Sequence, residues 1–162
     1  MKIVKQTPQT LDFHEYIFIV RRRLNGSQVK VARGAAMIYN HFLEIELGRH
    51  KPTEKERMEI CASLTGLATK EQIQLAIPGG VVGIAKAIFQ EQYFLSLTAP
   101  EIFNLYLKAN KLTKAKFAKK LGLSKQNLDN WSIGLVIPDP ENREKIEKAT
   151  KGQVKSEFWG YV

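Results

Sequence analysis

The chain has 162 residues, enough for one ordinary domain or two small ones, and its 44% hydrophobic content excludes a disordered polar tract. A formal charge of +9, from 25 Lys and Arg against 16 Asp and Glu, favours a polyanionic partner. The single cysteine, Cys61, excludes an internal disulfide and a cysteine metal cluster.

In chain order, the opening "MKIVKQTPQTLDFHEY" has charge but no apolar stretch before Asp12, His14 and Glu15, so no secretory signal is expected. No run reaches the ~18 apolar residues of a membrane span, and a cytoplasmic protein is expected. Cys61 sits between Ile60 and Ala62 in a helical pattern and reads as a buried small residue. Thr69–Ile77 reads as a helix stopped by Pro78-Gly79-Gly80. Val81–Phe94 then reads as one amphipathic helix, with Val81, Ile84, Ala85, Ile88 and Phe89 at helical spacing.

The next segment is "APEIFNLYLKANKLTKAKFAKKLGLSKQNLDNW". Pro100 suits a first helical turn, and Ile102, Phe103, Leu105, Tyr106 and Leu107 give that helix an apolar face. Thr113 is the expected N-cap of a second helix, with Ala115, Phe117, Ala118 and Leu121 facing inward. Gly122 permits a tight left-handed turn, and Ser124 caps a third helix that buries Leu128 and Trp131. Two short helices around a glycine turn form a helix-turn-helix. Lys125, Gln126, Asn127 and Asn130 point outward from the third helix, and these are side-chain types that reach base edges and phosphates. A use in packing alone is the competing reading. Lys111, Lys114, Lys116, Lys119, Lys120 and Lys125 fall in fifteen residues without an acid, whereas a merely solvated face mixes signs.

The stretch "LTKAKFAKKLGLSKQNLDNWSIGLVIPDPENREKIEKAT" resembles the lambda repressor/Cro-like (xenobiotic-response-element type) helix-turn-helix family, over roughly residues 99–159. The matching positions are Ala118 at the helix crossing, Gly122 in the turn, Leu128 and Trp131 on the buried face, and Gly134 at the end of the recognition helix. Ile137-Pro138 leads into a fourth helix, Pro140–Thr150, and "TKGQVKSEFW" is similar to the close of Cro-type domains. Lys114 departs from the family, standing where many members carry a phosphate-touching Gln; a lysine can do that work as a point charge.

Displacing the chain by 86 residues exposes a second copy. Glu15, Lys30, Ala32, Gly48 and Pro52 fall on Glu101, Lys116, Ala118, Gly134 and Pro138. Arg57, Ile60, Gly66 and Glu71 fall on Arg143, Ile146, Gly152 and Glu157. The resemblance then implies a first helix at Phe13–Leu24, Ser27-Gln28 opening the second, Val31 and Ala32 facing inward, and Phe42 and Ile45 buried in the third. Ala36 replaces the turn glycine, Ile38 replaces the Ser124 cap, and Thr69–Ile77 becomes a fifth helix. Tyr39, Asn40, His41 and Glu44 correspond to Lys125, Gln126, Asn127 and Asn130.

The expected fold is therefore all-α: two tandem five-helix Cro/repressor-like helix-turn-helix domains at residues 10–78 and 98–162, joined by a connecting helix at 79–97. The resemblance implies a sequence-specific, double-stranded DNA-binding transcriptional regulator, a repressor of phage or mobile-element type. Expected base contacts are Ser124, Lys125, Gln126, Asn127 and Asn130, with Tyr39, Asn40 and Glu44 in the first copy. Expected phosphate contacts are Thr113, Lys114 and Lys119, with Gln28, Arg49 and Lys51 in the first copy. The region from residue 96 carries 12 basic and 7 acidic residues against 13 and 9 before it, so the shorter half is denser in charge and is expected to be the principal reader.

The alternative is a protein-interaction module, such as an antitoxin or antiactivator on the same fold. Whether the chain forms a homodimer is left open. An enzyme is not expected: "PGGVVG" lacks a Gly-Lys-Ser/Thr ending, and Ser124 has no triad. His14, His41 and His50 lack metal-ligand spacing with a carboxylate or with Cys61, so neither a metal nor a cofactor is expected.

Overall fold

The computed structural model describes residues 4–161. Among these the chain is 60% helical, with ten α-helices and one two-stranded sheet. The first elements are strand β1 (Gln6–Leu11) and helices α1 (Phe13–Arg23), α2 (Gln28–Gly34), α3 (Tyr39–Glu46), α4 (Glu54–Thr65), α5 (Lys70–Ala76) and α6 (Gly80–Lys86). After a 3-10 turn at Ala87–Phe89 come β2 (Tyr93–Thr98), α7 (Ala99–Ala109), α8 (Lys114–Leu121), α9 (Lys125–Ser132) and α10 (Pro140–Ala149), closed by a 3-10 turn at Ser156–Phe158.

Local capping explains most of these starts. Ser27, Thr53, Thr69, Thr98, Thr113, Ser124 and Asp139 each accept a hydrogen bond from the backbone N–H three residues on, satisfying an otherwise orphaned donor. The helix starts also keep one register. Ala99, Lys114, Lys125 and Pro140 open their helices 86 residues after Phe13, Gln28, Tyr39 and Glu54 open theirs, in the same order. The turn at Ser156 follows the start of α5 at Lys70 by the same interval.

The chain divides into two compact units, Thr10–Leu95 and the segment from Ser96 onward together with residues up to Gln9. In the first, Ile17, Val31, Phe42, Ile45, Ile60 and Leu64 are fully buried, and Tyr16 stacks on Tyr93 at 4.7 Å. In the second, Phe103, Phe117, Leu128, Trp131, Ile146 and Trp159 form the core, with Phe103 5.5 Å from Phe117. The N-terminal segment belongs to this unit: Lys5 donates its N–H to the Gly160 carbonyl at 3.0 Å and its Nζ to the Glu157 carbonyl at 2.7 Å.

Three expectations need correction. The all-α expectation holds roughly, the described chain being mostly helical, but β1 and β2 add a small two-stranded sheet. "QTPQTL" is too polar to announce a strand, although its Pro8 is compatible with an edge position. The second correction concerns Val81–Phe94, which is not one helix. The Tyr93 hydroxyl donates to the Ala87 carbonyl at 2.6 Å, and Arg57 donates to the Gln90 carbonyl at 3.0 Å. Those acceptors are thereby satisfied outside a helix, and the chain leaves extended at Gln90. Tyr93, Leu95 and Leu97 then alternate buried with exposed Phe94 and Ser96, a period of two. The third concerns inward faces: Ala85, Phe89 and Ala115 are exposed.

No single helix among the described residues is long and apolar enough to cross a membrane; α5 and the Gly80–Phe89 segment pass only as a pair bent by 71°.

Candidate nucleic-acid interface

The α8–α9 pair is set by a short turn. Gly122 adopts φ 67° and ψ 31°, the left-handed region that a glycine enters without a Cβ penalty, and its N–H bonds back to the Ala118 and Lys119 carbonyls. Leu123 N–H donates to the Ala118 carbonyl at 2.9 Å, which fixes the chain for Ser124 to cap α9. Ala118 is buried at the crossing, and Leu128 and Trp131 anchor α9 inward. With that face buried, Lys125, Gln126 and Asn127 are exposed and Asn130 is half-buried.

The outward side chains are partly tied together. Gln126 Nε2 donates to Asn130 Oδ1 at 3.3 Å, one helical turn away, leaving the Gln126 carbonyl oxygen and the Asn130 amino group for a partner. Asp129 receives Lys125 at 2.8 Å and Lys114 at 3.4 Å, joining α8 to α9. The hydrogen bond from Lys125, with the further bond and charge of Lys114, holds the Asp129 carboxyl below its ordinary range. Asp129 is a site residue that the sequence reading missed, since an acid inside a basic face carries no motif. Thr113 and Ser124 spend their hydroxyls as caps, accepting from the Lys116 and Asn127 amides at 3.2 Å each. Lys119 is exposed, as are Lys111, Lys116 and Lys120.

The α2–α3 pair is built differently. Ala36 takes the left-handed turn position at φ 53° without a glycine's freedom. Ile38 precedes α3 with no side-chain cap and is 79% exposed. Gln28 turns inward: its amide donates to buried Glu46 Oε2, while its carbonyl oxygen accepts from the Tyr39 hydroxyl at 3.1 Å. Glu46 is also held by Arg21 Nε at 2.6 Å, and Arg21 donates in turn to the Gly26 carbonyl. Glu44 and Arg49 pair with each other at 3.1 Å, Asn40 and Lys51 are exposed, and His41 is half-buried.

The histidines lack metal-ligand spacing along the sequence, but two of them are brought together in space by the loop after α3. It returns His50 to within 4.7 Å, ring to ring, of His41, and both face Glu56 near the start of α4. Spacings of nine and six residues across a turn give no periodic signal in sequence. The hydrogen bond with His41, joined by the Thr53 backbone N–H, holds the Glu56 carboxyl below its ordinary range.

Comparison with protein-family models, with curated proteins and with solved structures gives no match.

Proposed function

We infer that the chain is a cytoplasmic, sequence-specific double-stranded DNA-binding protein, a transcriptional repressor of phage or mobile-element type built from two tandem five-helix Cro/repressor-like helix-turn-helix domains. The observation that carries this reading is the face of α9. Gln126, Asn127 and Lys125 stand exposed on a short helix whose opposite side is anchored by Leu128 and Trp131, beside the exposed lysines of α8. The Gln126–Asn130 pair leaves one acceptor and one donor outward, the complement of the adenine N6 amino group and N7 in the major groove. Lys114 and Lys119, with backbone amides opening α8 and α9, would hold phosphates and fix register without reading sequence. The common 86-residue register of the helix starts supports two copies of one unit. Asn40 and the exposed ring of Tyr39 give the first copy a smaller outward set, because Gln28, Glu44 and the Tyr39 hydroxyl are already paired within the chain.

A protein-interaction role is the second reading, favoured by the exposed apolar residues Leu75, Val82, Phe89 and Phe94. Binding to random duplex DNA over a range of salt concentrations separates the two. Phosphate contacts give log K a slope against log salt of about −0.9 per neutralised phosphate on duplex DNA. Lys119→Ala should weaken binding to all duplexes alike and flatten that slope by about one. Absence of duplex binding, or a slope identical to wild type, would favour the protein-partner reading.

A further inference from the structure

His41, His50 and Glu56, all in the Thr10–Leu95 unit, offer three ligand atoms within 4.8 Å of one another. We propose that these three side chains form a binding site for a divalent transition-metal ion of the zinc class, linking α3 to the start of α4.

The donor set is two imidazoles and one carboxylate, a combination that suits zinc and its neighbours and is too nitrogen-rich for magnesium or calcium. His41 and Glu56 already share a hydrogen bond, and His50 stands close by. His41 Nε2 lies 2.6 Å from Glu56 Oε1, and His50 Nε2 lies 3.7 Å from Glu56 Oε2. Metal–ligand bonds of about 2.0–2.2 Å in a tetrahedron set ligand atoms about 3.3 Å apart. Shifts of about 1 Å in side chains therefore build the site from the present arrangement. His41 and His50 can make them, their side chains being 38% and 46% exposed.

Glu56 is the fixed ligand. Its Oε2 accepts the Thr53 N–H at 2.8 Å within the capping box of α4, a bond that orients the carboxylate from behind. His41 comes from the first turn of α3 and His50 from the loop beyond it, so one ion spans three separately positioned segments. Three protein ligands leave a fourth position for water. The other grouping of this kind among the described residues, Asp12, His14 and Glu15, has a single imidazole and two carboxylates, a donor set less suited to zinc. It therefore serves as an internal control.

The test is titration of zinc chloride into the full-length protein, read by calorimetry and by the imidazole nitrogen resonances. One equivalent should bind, the ring-nitrogen signals of His41 and His50 should shift together, and the thermal midpoint should rise with zinc concentration by mass action. His41→Ala and His50→Ala should each weaken binding by more than about 100-fold, beyond what losing a supporting contact costs. His14→Ala should bind zinc as wild type does. Because His50 lies on an exposed loop, its variant keeps the test independent of helix stability. Binding that leaves both resonances unmoved overturns the site, as does binding retained in both variants or absence of saturable binding by the wild type.

Discussion

Gly122 and Ala36 occupy equivalent turns with different side chains, and the difference has a measurable sign. A Cβ added at Gly122 would meet nothing within 4 Å, so Gly122→Ala carries only the backbone penalty of a left-handed alanine. That penalty is about 1–2 kcal/mol, partly offset by about 0.4–1 kcal/mol from a less flexible unfolded chain. Ala36 already bears the strain at φ 53°, and it is exposed. Denaturant melts should therefore show Gly122→Ala losing about 1 kcal/mol and Ala36→Gly gaining up to about 1 kcal/mol. A stability loss in both would mean that the turn conformations are not equivalent. The Gly122 turn is legible in sequence because glycine before a capping serine has a direct backbone meaning. Ala36 carries no such signal and was found only through its register with Gly122.

Titration at the buried residues gives a second expectation at this scale. Burial pushes the Cys61 thiol up from 9.0 to about 12 and the Tyr93 hydroxyl up from 10.0 to about 12, and it raises Tyr16 as well. Groups raised in the folded state contribute stability fully present below their unfolded values, and that contribution is lost as pH rises toward the folded ones. The thermal midpoint should hold to about pH 8 and fall steadily from about pH 9 to about pH 12. A midpoint constant through about pH 11 would contradict the burial of these groups.

The α2–α3 and α8–α9 pairs are locked by different chemistry. Arg21 on α1 and Glu46 on α3 form an ion pair in which Glu46 is 1% exposed, with Gln28 of α2 as a third member. At the corresponding places of the other unit stand Leu107, Ser132 and Lys114; there the Ser132 carbonyl accepts from Asn104 of α7 at 2.7 Å, and Lys114 pairs with Asp129 of α9 at 3.4 Å. Removing one partner of a buried ion pair strands the other, at a cost of about 3–5 kcal/mol. Glu46→Ala should lose that much in equilibrium unfolding, and a loss under about 1 kcal/mol would show that Arg21 finds water instead. The starts of α8 and α9 were legible because Thr113 and Ser124 stand as caps before apolar periodicity. The sheet was not. "QTPQTL" has no apolar alternation, and "YFLSLT" follows closely on the helical stripe of Ile84, Ile88 and Phe89. Tertiary hydrogen bonds to the Ala87 and Gln90 carbonyls decide that boundary, and those bonds have no local signature.

Across the whole chain, the outward residues of α3 and α9 are unlike, so a protein reading DNA with both would recognise two half-sites of different sequence rather than a palindrome. Joining two readers on one chain raises the effective concentration of the second once the first is bound. The basic face of α8 and α9 was visible in sequence as a run of lysines, whereas the inward turn of Gln28 and the pairing of Glu44 with Arg49 depend on packing. Selection of bound sequences from a random duplex pool, run in parallel on the wild type and on Gln126→Ala/Asn130→Ala, tests the recognition surface most directly. The wild type should enrich a composite site with two unlike halves. The variant should lose preference in one half only, by about 1–3 kcal/mol for each lost base contact. Enrichment of the same sequences by both proteins, or of none by the wild type, would contradict the assignment of α9 as the reader of DNA.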